Sequence, residues 1–150
     1  MKLLFIKKTK VVIALLILTV AGGASAQCGS VVKEAIKKLT VFTNTGQTNN
    51  VTLGKGNKAE MHLTFYKGLN YKLQFGSDVP LGQYTFRILD ENKNELYKCD
   101  GISQADYYTF FSNSSQELII EVSATDSTKK VCVAVVVGMQ VPKTNSIRNL

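Results

Sequence analysis

Three cysteines are the most reactive side chains of this 150-residue sequence, and they stand at positions 28, 99 and 132. Three thiols form at most one intramolecular disulfide, so one cysteine is left over. Cys28 lies near the start of the chain and Cys132 lies in its last strongly apolar run. We therefore predict a Cys28–Cys132 bridge that ties the N-terminal segment to the core and leaves Cys99 free. A bridge between Cys99 and Cys132 is the alternative, which applies if those two residues lie on neighbouring strands.

The single histidine, His62, does not belong to a recognisable catalytic set. A catalytic base needs a nucleophile within hydrogen-bond reach and usually an orienting carboxylate, and no serine or cysteine motif supplies either. Three cysteines without C-x-x-C spacing also do not resemble a zinc ligand set. His62 alternates with the apolar Met61 and Leu63, which favours a surface or strand-edge position. We therefore predict a protein that is not an enzyme.

Oxygen-bearing side chains at Asp90, Asn92 and Asn94 have the alternate spacing that calcium loops use. The segment lacks a glycine at its sixth position and carries Lys93 in its middle. Asp and Asn also favour turns, because their side chains bond the nearby backbone. We predict a tight turn and no cofactor, and calcium at Asp90, Asn92 and Asn94 is the alternative.

Two adjacent pairs of rings, Tyr107-Tyr108 and Phe110-Phe111, are the candidate ligand-binding residues. In a strand, neighbouring side chains point to opposite faces, so one ring of each pair faces away from the other. Either the strand is covered on both faces, which the poor solubility of exposed rings favours, or it presents rings to a partner. Such rings stack on sugars or pack on proteins, and sugar-binding platforms often include Trp, which is absent here. The expected partner is an unidentified protein or glycan.

The first 26 residues have the three parts of a secretory signal peptide. A basic stretch through Lys10 precedes an apolar run from Val11 to Ala21, and Ala24-Ser25-Ala26 is the small-residue end. The apolar run has about eleven residues, whereas a helix needs roughly 20 to span a bilayer. We predict cleavage after Ala26, no transmembrane anchor in the mature chain, and a secreted or periplasmic location. A lipoprotein is the alternative, because Cys28 follows the proposed cut so closely.

The net charge is interpreted differently once the predicted signal peptide is excluded from the count. The chain holds 18 Lys plus Arg and 11 Asp plus Glu, a formal charge of +7, but residues 1–26 hold four of the lysines and no acid. The predicted domain, residues 27–142, holds 12 basic and 11 acidic side chains, and residues 143–150 are predicted to be a flexible tail. A nearly neutral domain does not favour nucleic acid as the partner.

Hydrophobic periodicity predicts one helix followed by strands only. Val32, Ala35, Ile36 and Leu39 recur at helical spacing after Ser30, a plausible N-cap. From Leu39 onward the period falls to two, which is typical of half-buried strands. The predicted strands are 40–45, 50–53, 59–66, 70–76, 83–90, 95–99, 107–112, 117–124 and 130–141.

The connections between these strands give the fold class. The turn at Lys67 to Asn70 is predicted to join its flanking strands as a hairpin, and Asp90 to Asn94 is predicted to form another tight reversal. The last strand is apolar on both faces, as a central strand covered on both sides would be. Short strands with polar turns and no βαβ unit favour an all-β antiparallel sandwich with one short N-terminal helix.

Part of this pattern resembles a known family. The segment LTFYKGLNYKLQFGSDVPLGQYTFRILDENKNELY looks like the bacterial pre-peptidase C-terminal domain, in which a short K-G turn leads to an aromatic-led strand and a D-x-N-type hairpin follows. The later SSQELIIEVSATDSTKKVCVAVVVG is similar to the closing pair of strands in that family. The resemblance covers about Ala59 to Gly138.

This resemblance implies a jelly-roll-like β-sandwich and a non-catalytic accessory role beside secreted enzymes. Since no enzyme domain precedes the segment, we expect a stand-alone module. The expected function is a secreted or periplasmic binding module. The alternative is a structural or protein-interaction component of the bacterial cell envelope.

Overall fold

The computed structural model describes residues 27–101, 104–125 and 129–143. The predicted signal peptide lies outside these residues, as does the predicted tail beyond Lys143. The elements are α1 (Gln27–Lys37), β1 (Thr43–Leu53), β2 (Lys58–Phe65), β3 (Asn70–Ser77), β4 (Tyr84–Leu89), β5 (Glu95–Cys99), β6 (Tyr107–Phe111), β7 (Gln116–Ala124) and β8 (Val131–Gln140).

The eight strands form two antiparallel sheets. The first sheet has the order β1-β8-β3-β6 and the second has the order β2-β7-β4-β5. The chain crosses repeatedly from one sheet to the other, and this strand order is that of an eight-stranded jelly roll. The predicted fold class, an all-β jelly-roll-like sandwich with one short N-terminal helix, is confirmed.

Side chains that alternate along the strands fill the space between the sheets. The rings of Phe75 and Phe86 stack across this space with centroids 3.5 Å apart. On β8, Val131, Val133 and Val135 point into the same core, while the intervening residues are buried on the opposite face of the sheet. The prediction that the last strand is covered on both sides is therefore confirmed.

Helix α1 covers the outer face of β8. Cys28, Val31 and Ala35 are its buried residues, and Cys28 forms a disulfide with Cys132, their Cα atoms 5.7 Å apart. Cys99 is buried and free. The predicted pairing is confirmed, and the alternative bridge between Cys99 and Cys132 is wrong because these residues lie in different sheets.

The predicted hairpin at Lys67 to Asn70 is wrong. β2 pairs with β7, whereas β3 pairs with β8 and β6, so the two strands lie in opposite sheets. The turn, with Gly68 at a φ of 88°, carries the chain across the sandwich instead. The reversal at Asp90 to Asn94 does join two paired strands, β4 and β5.

Two further details of the N-terminal region differ from the prediction. Ser30 lies inside α1 and is not its N-cap, and Ile36 is exposed because the buried stripe runs through Val31 and Ala35. The two predicted strands 40–45 and 50–53 are one strand, β1, whose pairing with β8 shifts between Asn44 and Thr48.

Candidate functional site

Strand β6 is the last strand of the first sheet, and within the described residues it pairs with β3 alone. Tyr108 and Phe110 turn inward and pack against the core. Tyr107 and Phe111 point outward and are 43% and 47% exposed. The favoured prediction, that this strand is covered on both faces, is therefore wrong, because the outer face of β6 presents rings at the surface.

The outward rings border a cleft of about 500 Å³. Helix α1 packs on β8, β3 and β1, and the cleft lies beyond the covered area, at the β6 side of the first sheet. We call this surface the β6 face; it consists of Phe42, Asn70, Lys72, Tyr107, Thr109, Phe111 and Gln140. Register places Asn70 opposite both Phe111 and Gln140, so residues from three strands meet here.

Lys72 is the charged residue of the β6 face, and it is only 9% exposed. Register places it between Thr109 of β6 and Gly138 of β8. Its Nζ donates a 2.6 Å hydrogen bond to the carbonyl oxygen of Lys38 and lies 4.7 Å from the centroid of the Tyr107 ring. Sequence periodicity assigned Lys72 to the polar side of its strand and gave no sign of this burial.

No carboxylate balances the charge of Lys72 in the part of the chain that the structure describes. Asp106, just before β6, forms its 2.6 Å ion pair with the Nζ of Lys38. The β6 face therefore has a buried cation at its floor and two exposed rings at its rim.

The outer face of the second sheet is arranged differently. Glu121, 5% exposed, accepts hydrogen bonds from the Nε of Arg87 at 2.9 Å and the Nζ of Lys58 at 3.0 Å. Burial by itself raises the pKa of Glu121, but these hydrogen bonds outweigh it and hold the pKa below its ordinary value. His62 is exposed and its Nδ1 lies 2.7 Å from Oε1 of Glu117, so the histidine is the surface residue that the sequence predicted.

The candidate calcium residues form a turn. Oδ1 of Asp90 accepts hydrogen bonds from the backbone N–H groups of Asn92 at 2.9 Å and Asn94 at 2.8 Å, and Oδ2 accepts one from the Asn94 side-chain amide at 2.8 Å. These bonds, the Asn94 side chain first, hold the pKa of Asp90 below its ordinary value. Lys93 reaches from the same turn to Glu60. Calcium at Asp90, Asn92 and Asn94 stays a prediction, and the described residues contain no group of three His, Cys, Asp or Glu able to hold a metal.

The fold is similar to that of a solved structure of another protein. No protein-family model matches the sequence, and no curated protein matches it either. A solved structure of PliG from Aeromonas hydrophila, a periplasmic lysozyme inhibitor of g-type lysozyme, is 12% identical, covers 62% of this chain and 84% of its own, and has a TM-score of 0.47. The resemblance to the pre-peptidase C-terminal domain stays a prediction. Across the described ranges, no helix is both long enough and apolar enough to cross a membrane.

Proposed function

We propose that this protein is a non-catalytic binding module that engages another protein through its β6 face. The observation that carries the proposal is that β6 combines two exposed rings with a strand edge that no other described strand pairs with. Natural proteins usually protect edge strands with charges, proline or a covering element, and the outward residues of β6 are Tyr107, Thr109 and Phe111. Aromatic residues are enriched in the centres of protein interfaces.

The compartment that we propose is the secreted or periplasmic space. The Cys28–Cys132 disulfide supports it, because such bridges persist in oxidising environments and are rare in the cytosol. The basic, apolar and small-residue pattern of residues 1–26 supports it independently.

A protein partner fits the β6 face better than a glycan does. The free edge of β6 offers main-chain donors and acceptors to an incoming extended segment, which is a common mode of peptide recognition. In addition, the ammonium group of Lys72 lies over the Tyr107 ring, so one face of that ring is already occupied. A sugar would therefore have only the other face of the Tyr107 ring and the Phe111 ring to stack on.

Site-specific photo-crosslinking tests the location of the interface. A benzophenone amino acid replaces Thr109 on the β6 face in one variant and Thr64, an exposed residue of the second sheet, in the control. In cells that export the protein, we expect the Thr109 variant to give an adduct with one defined protein and the Thr64 variant to give none. Equal adducts from both positions, or none from Thr109, would contradict the proposal.

The purified partner from that experiment then allows the contribution of the rings to be measured. We expect the Tyr107→Ala/Phe111→Ala variant to bind it at least tenfold more weakly, because truncating a central interface ring typically costs more than about 1 kcal/mol. Tyr66→Ala is the matched control, since this ring is 62% exposed and follows β2 of the opposite sheet. Unchanged affinity in the double variant, or glycan-array binding that depends on the two rings, would contradict a protein partner.

A further inference from the structure

We infer that the β6 face recognises a carboxylate, supplied by an acidic side chain of the partner protein, and that Lys72 binds it. This inference rests on the proposed function and names the chemistry of the partner. Its starting point is Lys72, a residue that is 9% exposed and has no carboxylate partner among the residues that the structure describes. Lysine is almost never buried to this degree without a pairing group.

The contacts of Lys72 explain how its charged ammonium group is stabilised without a carboxylate from the described residues. The carbonyl oxygen of Lys38 lies immediately after the last residue of α1, at the end of the helix where the backbone dipole is negative. The Tyr107 ring adds a cation–π contact. An ammonium group has three donor hydrogens, and the hydrogen bond to Lys38 uses one of them. Because Lys72 lines the cleft, we expect an incoming group to reach the remaining donors.

The other residues of the β6 face suit a carboxylate. Thr109 carries a hydroxyl group, and Asn70 and Gln140 carry side-chain amides, so the cleft supplies neutral donors for a second carboxylate oxygen. The rings of Tyr107 and Phe111 would exclude water from the pair, and a hydrogen-bonded ion pair strengthens as water is excluded.

The charges near Lys72 favour the binding of an anion. Lys38 and Lys72 both lie at this end of α1, and Asp106 is the acid that pairs with them, through Lys38. Among the described residues, the site therefore has one positive charge without a carboxylate partner. An extended partner segment that pairs with the edge of β6 would place alternate side chains over the outer face, where a Glu or Asp would meet Lys72.

A pair of peptides that differ in one group tests the inference. The probes are acetyl-Thr-Val-Glu-Val-Thr-amide and the same peptide with Gln in place of Glu, titrated into the isotopically labelled, disulfide-bonded protein and followed by amide NMR shifts. We expect the Glu peptide to shift the signals of Thr109 and its neighbours saturably, with at least tenfold higher affinity than the Gln peptide. Equal affinities would overturn the inference.

Variants of Lys72 separate recognition from a purely structural role at the end of α1. We expect the preference for Glu over Gln to disappear in Lys72→Met and to persist in Lys72→Arg, which keeps the charge. Lys33→Met removes an exposed charge from α1 and is the matched control, in which the preference is retained. If Lys72→Met does not fold, Lys72→Gln and Lys72→Arg give the same comparison. A preference that survives in the neutral variants overturns the inference.

The two proposals fail in different ways. If Lys72→Met binds the purified partner as well as the unsubstituted protein does, while Tyr107→Ala/Phe111→Ala binds it weakly, the carboxylate inference fails and the proposed function stands. If neither variant weakens binding of the partner, both fail. Sialyllactose serves as the acidic-sugar probe, and its saturable binding, lost in Lys72→Met, would overturn the choice of a protein side chain as the source of the carboxylate.

Discussion

Lys72 and Glu121 are charged residues buried on the outer faces of opposite sheets, and their surroundings differ in kind. Glu121 is surrounded by cations, since Arg87 and Lys58 both donate to it. Lys72 has a carbonyl oxygen and a ring and no carboxylate in the described part of the chain. The first arrangement pairs its charge within the chain, and for the second we propose a partner that supplies the carboxylate. This difference is the basis for assigning a structural role to Glu121 and a binding role to Lys72.

Glu121 is expected to make the fold sensitive to acid. Its pKa in the folded protein lies below the ordinary value of 4.5, so its stabilising effect is present above pH 4.5 and is lost as the pH falls through the folded pKa. We expect Glu121→Gln to lower the free energy of unfolding at pH 7 by about 1 to 3 kcal/mol, since hydrogen bonds to a charged group are lost. The same variant should lose less stability than the unsubstituted protein as the pH falls below 4.5.

The matched control for this measurement is Glu117→Gln. Glu117 is also a paired carboxylate of β7, but it is exposed and its partner is His62. Its removal should change the free energy of unfolding by less than about 0.5 kcal/mol, as is usual for exposed pairs. Denaturant unfolding across the pH range gives both values. Equal effects of the two substitutions would contradict the structural role of Glu121.

The Asp90 turn gives a second prediction at the scale of single residues. Because three hydrogen bonds from its own turn occupy the Asp90 carboxylate, we expect millimolar calcium to leave the melting temperature unchanged. Asp90→Ala should lower the melting temperature with or without calcium, through loss of the turn contacts. A saturable rise in melting temperature with calcium, absent in Asp90→Ala, would establish the metal site instead. This turn was predictable from sequence because its interactions are local.

At the scale of elements, the close packing of α1 and the segment after it on β8 depends on Gly138, which has no side chain. A Cβ atom at Gly138 would lie 2.7 Å from Cβ of Phe42 and 2.9 Å from Cδ2 of Leu39. We therefore expect Gly138→Ala to lower the free energy of unfolding by about 1 to 3 kcal/mol through overpacking. Gly29→Ala is the control, because nothing lies within 4 Å of its added Cβ. Alanine there should stabilise α1 by up to about 1 kcal/mol, and equal losses in both variants would contradict this packing.

The disulfide fixes the same helix to the sheet. An 11-residue helix is marginal on its own, so α1 depends on its contacts with β8 and on the Cys28–Cys132 bridge. The bridge closes a loop of 104 residues, and its removal typically costs about 2 to 5 kcal/mol. We expect this loss in Cys28→Ser/Cys132→Ser, and reductant should then have no further effect on that variant. Non-reducing peptide mapping that finds Cys99 in a bridge would contradict the pairing.

The sequence patterns predicted the bounds of the strands more accurately than they predicted which strands pair with one another. Period-two alternation predicted the bounds of β3, β4 and β7 closely, and a run that is apolar on both faces predicted those of β8. The same alternation is present whichever sheet the strand joins, so β2 and β3 were taken for a hairpin. In β1, the segment around Gly46 interrupts the alternation, and one strand was predicted as two.

At the scale of the whole molecule, the jelly roll itself creates the candidate site. The strand order leaves β6 at the edge of the first sheet, while α1 lies over β8 and its neighbours. The sequence indicated that the strand from Tyr107 to Phe111 carries rings on both faces. The position of this strand in the sheet leaves one of those faces exposed. Lys72 belongs to the same surface only through long-range register with Gly138 and Thr109, which local patterns do not contain.

Hydrogen exchange of the complex tests the central claim, that the partner docks on β6. With the partner bound, we predict slower amide exchange in peptides covering β6 and the part of β3 that contains Lys72. Exchange at the edge strands of the second sheet, β2 and β5, should be unchanged. Protection confined to β2 or β5, with β6 exchanging as in the free protein, would contradict the account.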